Sequence, residues 1–368
     1  MAVTEQDRRM MAAAIRYSYR NSGRTGTNPS VATLLVRNDG DVPVIIGRGI
    51  TALGGRPHAE TQAMAEAGEL VKGATAYVTL EPCAHHASTP PCAEALVSSG
   101  VKRVVSATTD PDGRVSGKGY KILVDGGIEL ETDVLKSQAD YALAAYLTQR
   151  KTGRPHVTLK LAISSDGKIG RRGSGQVSIT GPVSNAATHI RRAMTDIIVV
   201  GIETVLEDDP SLTCRLPGME DRSPVRLVLD RQLRLPLNSA LVRSAREHSV
   251  IVATVMPPED DKHRQLVSAG CTMLACDETE SGIALPEMVE DLAVRGYSSL
   301  LVEGGAKVAA GFMDAGLVDR ILLYVGPHSL GGEAIDAPLT LQTIPSDFHL
   351  IGTDVFGQDT RYEYERPS

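Results

Sequence analysis

The chain has 368 residues, with 38 Lys and Arg against 45 Asp and Glu and a formal charge of −7. This acid excess argues against a polyanionic partner, because non-specific nucleic-acid affinity rests on basic surface. With no Trp and three Phe, a stacking platform for single strands is disfavoured too, and small metabolites fit better.

The length suits about two domains of roughly 150–200 residues. Five cysteines make an odd, sparse set. No apolar run reaches the roughly 18 residues of a membrane span, and no signal-peptide core is present. We expect a cytoplasmic protein with reduced thiols and no membrane partner.

In chain order, residues 5–20 read as a helix, and 31–36 and 43–50 as strands around the turn at 38–41. A helix at 58–71, a strand at 74–80, a helix at 91–100 and a strand at 101–109 follow. This alternation predicts an α/β layered domain with parallel strand pairs. A further helix spans 138–149, and the basic Gly/Pro segment at 150–155 marks a boundary, giving domains 1–150 and 151–368. Strands at 156–164, 196–201, 225–230, 249–254 and 298–305 form a second alternation, with 320–332 and 360–365 as closing antiparallel strands.

Chemistry concentrates between residues 57 and 96. His58 and Glu60 converge only if His58 sits at or before a first helical turn, which Pro57 favours. Cys83 follows a strand and Pro82; Cys92 follows Pro90-Pro91 and opens the next helix, where free N–H groups favour a thiolate. One imidazole and two thiolates leave zinc an open fourth position for water. Two thiolates also weaken the metal as a Lewis acid, so a carboxylate that moves protons is needed, and Glu60 is placed for it. An isolated His-x-Glu carries little information, and two cysteines nine apart are commonly core thiols. Their joint occurrence points to zinc, one ion per chain.

His-Ala-Glu followed by Pro-Cys and a second Cys resembles the zinc-dependent cytidine and nucleobase deaminases, where the non-ligand Glu shuttles protons. The segments "TLEPCAHHASTPPCAEAL" (79–96), "NPSV" (28–31) and "DPDGRVSGKG" (110–119) are similar to those of the bifunctional deaminase/reductase family of riboflavin biosynthesis. Blocks at 154–169, 201–215, 224–230 and 301–312 resemble its reductase half. The resemblance implies an N-terminal cytidine-deaminase-like αβα layered domain and a C-terminal dihydrofolate-reductase-like α/β domain. It also implies Zn2+, NADPH, phosphoribosyl-pyrimidine substrates and a homodimer.

Carried over residue by residue, the resemblance puts Asn28 and His85 on the pyrimidine. Ala162, Ser178, Thr204, Asp208, Gly304, Gly305, Ala306 and Lys307 fall to the cofactor, and Lys160, Gln176, Arg192, Leu212, Arg215 and Glu303 to the reductase substrate. Residues 302–311 also read on their own as a strand, a Gly-Gly turn and a helix, whose free N–H groups can approach a phosphate. They are not a G-x-G-x-x-G fingerprint, so a Rossmann domain is not expected. The chain departs from the family pattern at Ala32, Ser88, Gln176 and Ser178, where Gly, Lys or Arg, Ser and Trp are usual. These positions bear on affinity and leave His58, Glu60, Cys83 and Cys92 intact. His86 takes no role, and Cys214, Cys271 and Cys276 read as ordinary thiols. Three other readings are a deaminase whose second domain only binds or dimerises, a nucleic-acid base deaminase, and a structural zinc protein.

Overall fold

The structure is a computed structural model that describes residues 3–40, 42–86, 90–171, 177–280 and 282–367; Ser88 and Gln176 lie outside them. The chain divides into two compact units, Met1–Gly153 and Arg154–Ser368.

In the first unit, helix α1 (Glu5–Ser18) begins in a capping box formed by Thr4 and Asp7. Strands β1 (Ala32–Arg37) and β2 (Val44–Ile50) form the expected hairpin, with a register shift between Leu35 and Val36. Helix α2 (Ala59–Ala67), strand β3 (Thr75–Val78), helix α3 (Cys92–Ser98) and strand β4 (Arg103–Ser106) follow. Next come α4 (Lys118–Asp125), β5 (Glu129–Glu131), α5 (Lys136–Ala142) and α6 (Ala144–Thr152). The sheet order is β2-β1-β3-β4-β5. Pairing is parallel from β3 to β5, but β1 runs antiparallel to both neighbours, so the sheet is mixed. Helix α6 runs through residue 150 and stops at Gly153, whose φ of 77° suits glycine.

Two buried arrangements hold this sheet to its helices. Asp7 is 1% exposed and accepts from Tyr77 Oη at 2.9 Å and from the Arg103 fork at 2.7 and 3.0 Å. That ties α1 to β3 and β4. On the other face α2 lies against β2, and the fit is close because both surfaces are small. Ala59, Ala63 and Ala67 recur every fourth residue and are buried, and a Cβ on Gly47 or Gly49 would collide with the carbonyl oxygens of Ala63 or Ala59.

The second unit starts with β6 (His156–Ile163), β7 (Lys168–Gly170), α7 (Pro182–Ala193), β8 (Ile197–Gly201) and α8 (Ile202–Asp208). It continues through β9 (Val225–Leu229), α9 (Ala240–Arg243), β10 (Val250–Thr254), α10 (Asp261–Ala269) and β11 (Thr272–Ala275). After a small ribbon of β12 (Glu278–Thr279) and β13 (Gly282–Ile283) come α11 (Leu285–Val294), β14 (Ser299–Val302) and α12 (Ala306–Asp314). The chain closes with β15 (Arg320–Val325), β16 (Ile335–Asp336), β17 (His349–Phe356) and β18 (Asp359–Glu365).

Nine of these strands form one sheet in the order β11-β10-β9-β8-β14-β6-β15-β18-β17. Pairing is parallel from β11 to β15, and only the two pairings made by β18, with β15 and with β17, are antiparallel. Strand β15, expected to close the sheet in antiparallel fashion, is parallel to β6 and accepts β18 on its other side. The hydrophobic strand runs are buried on both faces, as parallel sheets require.

Because Gly49 admits the Ala59 carbonyl, Gly49→Ala forces α2 away from β2. We expect a stability loss of about 1–3 kcal/mol, read as a lower denaturation midpoint of the first unit.

Candidate functional site

His58 is the extended N-cap of α2, Glu60 lies in that helix's first turn, and Cys92 is the first residue of α3 after Pro91. Cys83 sits beyond the carboxyl end of β3, held to α3 by its carbonyl, which accepts from the Ala93 N–H at 3.2 Å. Three chain breaks at proline thus bring three side chains to one point. His58 Nδ1 lies 3.7 Å from Cys83 Sγ and 3.4 Å from Cys92 Sγ, and all three ligand atoms fall within 4.8 Å of one another. Zinc bond lengths of about 2.3 Å to sulfur and about 2.0 Å to nitrogen, at tetrahedral angles, imply N···S spacings of about 3.5 Å. The cluster fits zinc.

The thiols differ. Cys83 is drawn down to about 4, first by hydrogen bonding with Cys92 and then by His58. Cys92 is held up by Cys83 and by burial. Helix-end lowering was expected at Cys92, but that residue's own N–H points to Cys83 Sγ at 3.3 Å, so Cys83 receives it. Glu60 is 4% exposed and is not among the clustered ligand atoms. Burial raises its pKa, and the Cys83 charge adds to the shift.

One pocket joins this cluster to Asn28 and His85, the two residues expected on the pyrimidine. His85 Nδ1 is buried without a hydrogen-bond partner, a ring atom ready for a ligand. Asn28 lies against Gly55, where a Cβ would strike its side-chain amide. His86 instead faces outward, 3.4 Å from Glu94. Sequence reasoning missed Thr51, Arg56, Tyr146 and Arg150, which line the same pocket with Asp110, Asp112 and Arg114 of the 110–119 block. The signal available for Arg150 was Gly153, a helix stop four residues beyond the point where the helix was expected to end.

In the second unit the reductase candidates gather where β6, β8 and β14 lie side by side. Glu303 follows β14 and its N–H donates to Val199 O at 3.0 Å. Arg192 grips both Glu303 carboxylate oxygens at 2.8 Å and donates to Thr213 O at 3.2 Å. Burial works against the Glu303 charge, but Arg192 and then Lys160 hold its pKa below the usual carboxylate value. Lys160 is pushed down by burial, and its Nζ lies 5.6 Å from the Tyr324 ring centroid. Leu212 is buried with φ 55°, and Arg215 is exposed, bonded to Ser211 Oγ at 3.0 Å. Both arginines were expected on the reductase substrate, and Arg192's fork is engaged by Glu303.

The cofactor candidates are more scattered. A Cβ on Gly305 would meet Thr204 Oγ1 at 3.5 Å, so α8 and the start of α12 adjoin. Gly304 could not carry a Cβ without striking Val308. Ala306 opens α12 and the next residue, Lys307, is exposed; Asp208 ends α8. Ala162 pairs with Tyr324, and exposed Ser178 donates to Thr180 O at 3.3 Å. The turn before α12 presents unpaired helix N–H groups suited to a dinucleotide phosphate.

The fold and cluster define a zinc deaminase domain joined to a reductase domain. Residues 4–108 match the cytidine and deoxycytidylate deaminase zinc-binding region, and residues 155–362 match the RibD C-terminal domain. The riboflavin biosynthesis protein RibD of Actinobacillus pleuropneumoniae is 35% identical, covering 98% of this chain and 96% of its own; that of Aquifex aeolicus is 37% identical over 89% of each. The solved structure of Acinetobacter baumannii RibD (form 1) matches with a TM-score of 0.84 at 34% identity over 99% of both chains. A Thermotoga maritima deaminase/reductase matches with a TM-score of 0.84 at 31% identity, covering 98% of this chain and 99% of that one. The chain belongs to the RibD family, bifunctional deaminase and reductase enzymes of riboflavin biosynthesis. Zn2+ and NADPH are its cofactors. No helix among the described residues is long and apolar enough to cross a membrane.

Cys83→Ser is expected to abolish stoichiometric zinc, as measured by metal analysis of the purified protein. Arg192→Leu leaves Glu303 without its partner at a cost of about 3–5 kcal/mol. The second unit's unfolding midpoint should fall while zinc content holds.

Proposed function

We propose that the first unit deaminates a 2,5-diamino-6-(5-phosphoribosylamino)pyrimidin-4-one and the second reduces the resulting 5-amino-6-(5-phosphoribosylamino)uracil to its ribityl form. The carrying observation is the triad of His58, Cys83 and Cys92, two of whose members, His58 and Cys83, line one pocket with the buried Glu60 carboxylate. The Thermotoga maritima relative, described as a diaminohydroxyphosphoribosylaminopyrimidine deaminase and 5-amino-6-(5-phosphoribosylamino)uracil reductase, supports the substrate assignment.

His58, Cys83 and Cys92 would hold the zinc, which when bound would supply Lewis-acid activation of a water. Glu60 takes a proton from the attacking water and delivers it to the leaving amine, so water enters and ammonia departs. Burial raises its pKa, which favours its holding a proton between the two transfers. His85 and Asn28 orient the ring.

In the reductase, NADPH supplies the hydride that converts the ribosyl carbon to the ribityl chain. Arg192 fixes Glu303, which with Lys160 and Leu212 positions the sugar, and exposed Arg215 meets its phosphate. Thr204, Asp208 and residues 304–307 would hold the cofactor together with Ala162 and Ser178; Gln176 is assigned to the substrate on family resemblance alone. We place the protein in the cytoplasm, in keeping with five unbridged cysteines, as a homodimer through the second unit. Leu350, Ile351 and Val355, exposed on edge strand β17, supply apolar surface for that contact.

Ammonia release and NADPH oxidation, scored separately, test the two halves. Glu60→Gln should retain zinc, lose deamination by at least about a hundredfold, and still oxidise NADPH when given the deaminated intermediate. A flat NADPH trace from folded, zinc-loaded wild type with that intermediate would overturn the reductase assignment.

A further inference from the structure

The deamination pocket contains an arginine pair with no part in the zinc chemistry. Arg114 and Arg150 both line it, and they share one carboxylate. Asp112 accepts from Arg114 Nη2 at 2.6 Å and from its Nε at 3.0 and 3.2 Å, while Arg150 Nε lies 3.8 Å from the same group. We propose that Arg114 and Arg150 receive the phosphate of the pyrimidine ribotide in this pocket, giving up part of their hold on Asp112 for phosphate oxygens. The inference rests on the substrate proposed above and deepens it.

Charge at the site favours this exchange. Glu81 receives four backbone N–H groups, and Asp110 receives the Tyr146 hydroxyl at 3.0 Å on each oxygen and the Asp112 N–H at 2.9 Å. Burial raises the pKa of both acids. Asp112 is the carboxylate that bonds the pair, while buried Asp110 acts on both arginines at longer range and Arg56 brings a third cation to the same pocket. A phosphate dianion presents three oxygens that match the planar forks of both arginines.

Geometry supplies the rest. Arg150 is set on the Tyr146 ring, 5.2 Å from its centroid, so its fork is ordered before any ligand arrives. Arg114 is 61% exposed and Glu60 only 4%, so the pocket runs from a buried, proton-handling end to a cationic, open one. The substrate has the same polarity, since its ribose phosphate hangs from a different ring carbon than the one that loses ammonia.

The test compares the phosphorylated pyrimidine with the same compound after phosphatase treatment, using full-length zinc-loaded protein. Arg114→Gln, Arg150→Met and the double variant are assayed for ammonia release, with zinc content and melting temperature measured alongside. In the double variant the preference for the phosphorylated compound should fall about ten- to hundredfold, carried by KM rather than kcat, with each single variant intermediate. Equal losses on both compounds would make the pair a structural clamp and overturn the proposal, as would an unchanged preference. If the double variant does not fold, Arg114→Gln decides the matter, because its side chain is mostly in solvent. Wild type that releases ammonia from neither compound would instead refute the substrate assignment on which the inference stands.

Discussion

A buried carboxylate outside the zinc cluster shapes the deamination pocket. Glu81 is 3% exposed, and its two oxygens gather the N–H groups of Asp110 and Gly117 at 3.3 and 3.1 Å and of Gly119 and Tyr120 at 3.0 and 3.4 Å. One side chain thereby pins the loop from 110 to 120 against the strand end that delivers Cys83. The fit leaves no slack, because a Cβ on Gly119 would strike the Pro82 carbonyl. The metal ligands and the open, cationic end of the pocket are positioned by the same carboxylate. Unpaired, a group buried this deeply would cost several kcal/mol.

Three other buried acids show how environment assigns a role to the same functional group. Glu60 meets little compensating charge, so burial raises its pKa and it can hold or release a proton. Glu303 is buried as well, yet the Arg192 fork and nearby Lys160 keep it ionised, which suits binding rather than proton transfer. Asp7 is lowered against its burial by Arg103 and the Thr4 cap, and serves only to fasten α1. Solvation, neighbouring charge and hydrogen bonding separate these fates.

The zinc cluster was legible in the sequence because its geometry is local: Pro57, Pro82 and Pro91 mark the chain breaks, and each ligand follows one closely. The αβα layering was legible for a similar reason, since buried strands leave unbroken apolar runs. Other features had no local signal. Strand β5 is three residues long and too short for periodicity, and the antiparallel seat of β1 depends on strand order. Arg192 and Glu303 are 111 residues apart, so their pairing exists only in the folded sheet. Arg150 was read as part of a linker because basic residues beside Gly and Pro look like one, whereas α6 carries it into the pocket.

Each apolar core lies within one unit: two clusters draw only on residues 11–147, and two only on residues 157–348. Among the described residues, then, each chemistry is carried by a unit with apolar cores of its own, so a substitution that loosens the core of one half is felt first by that half's reaction.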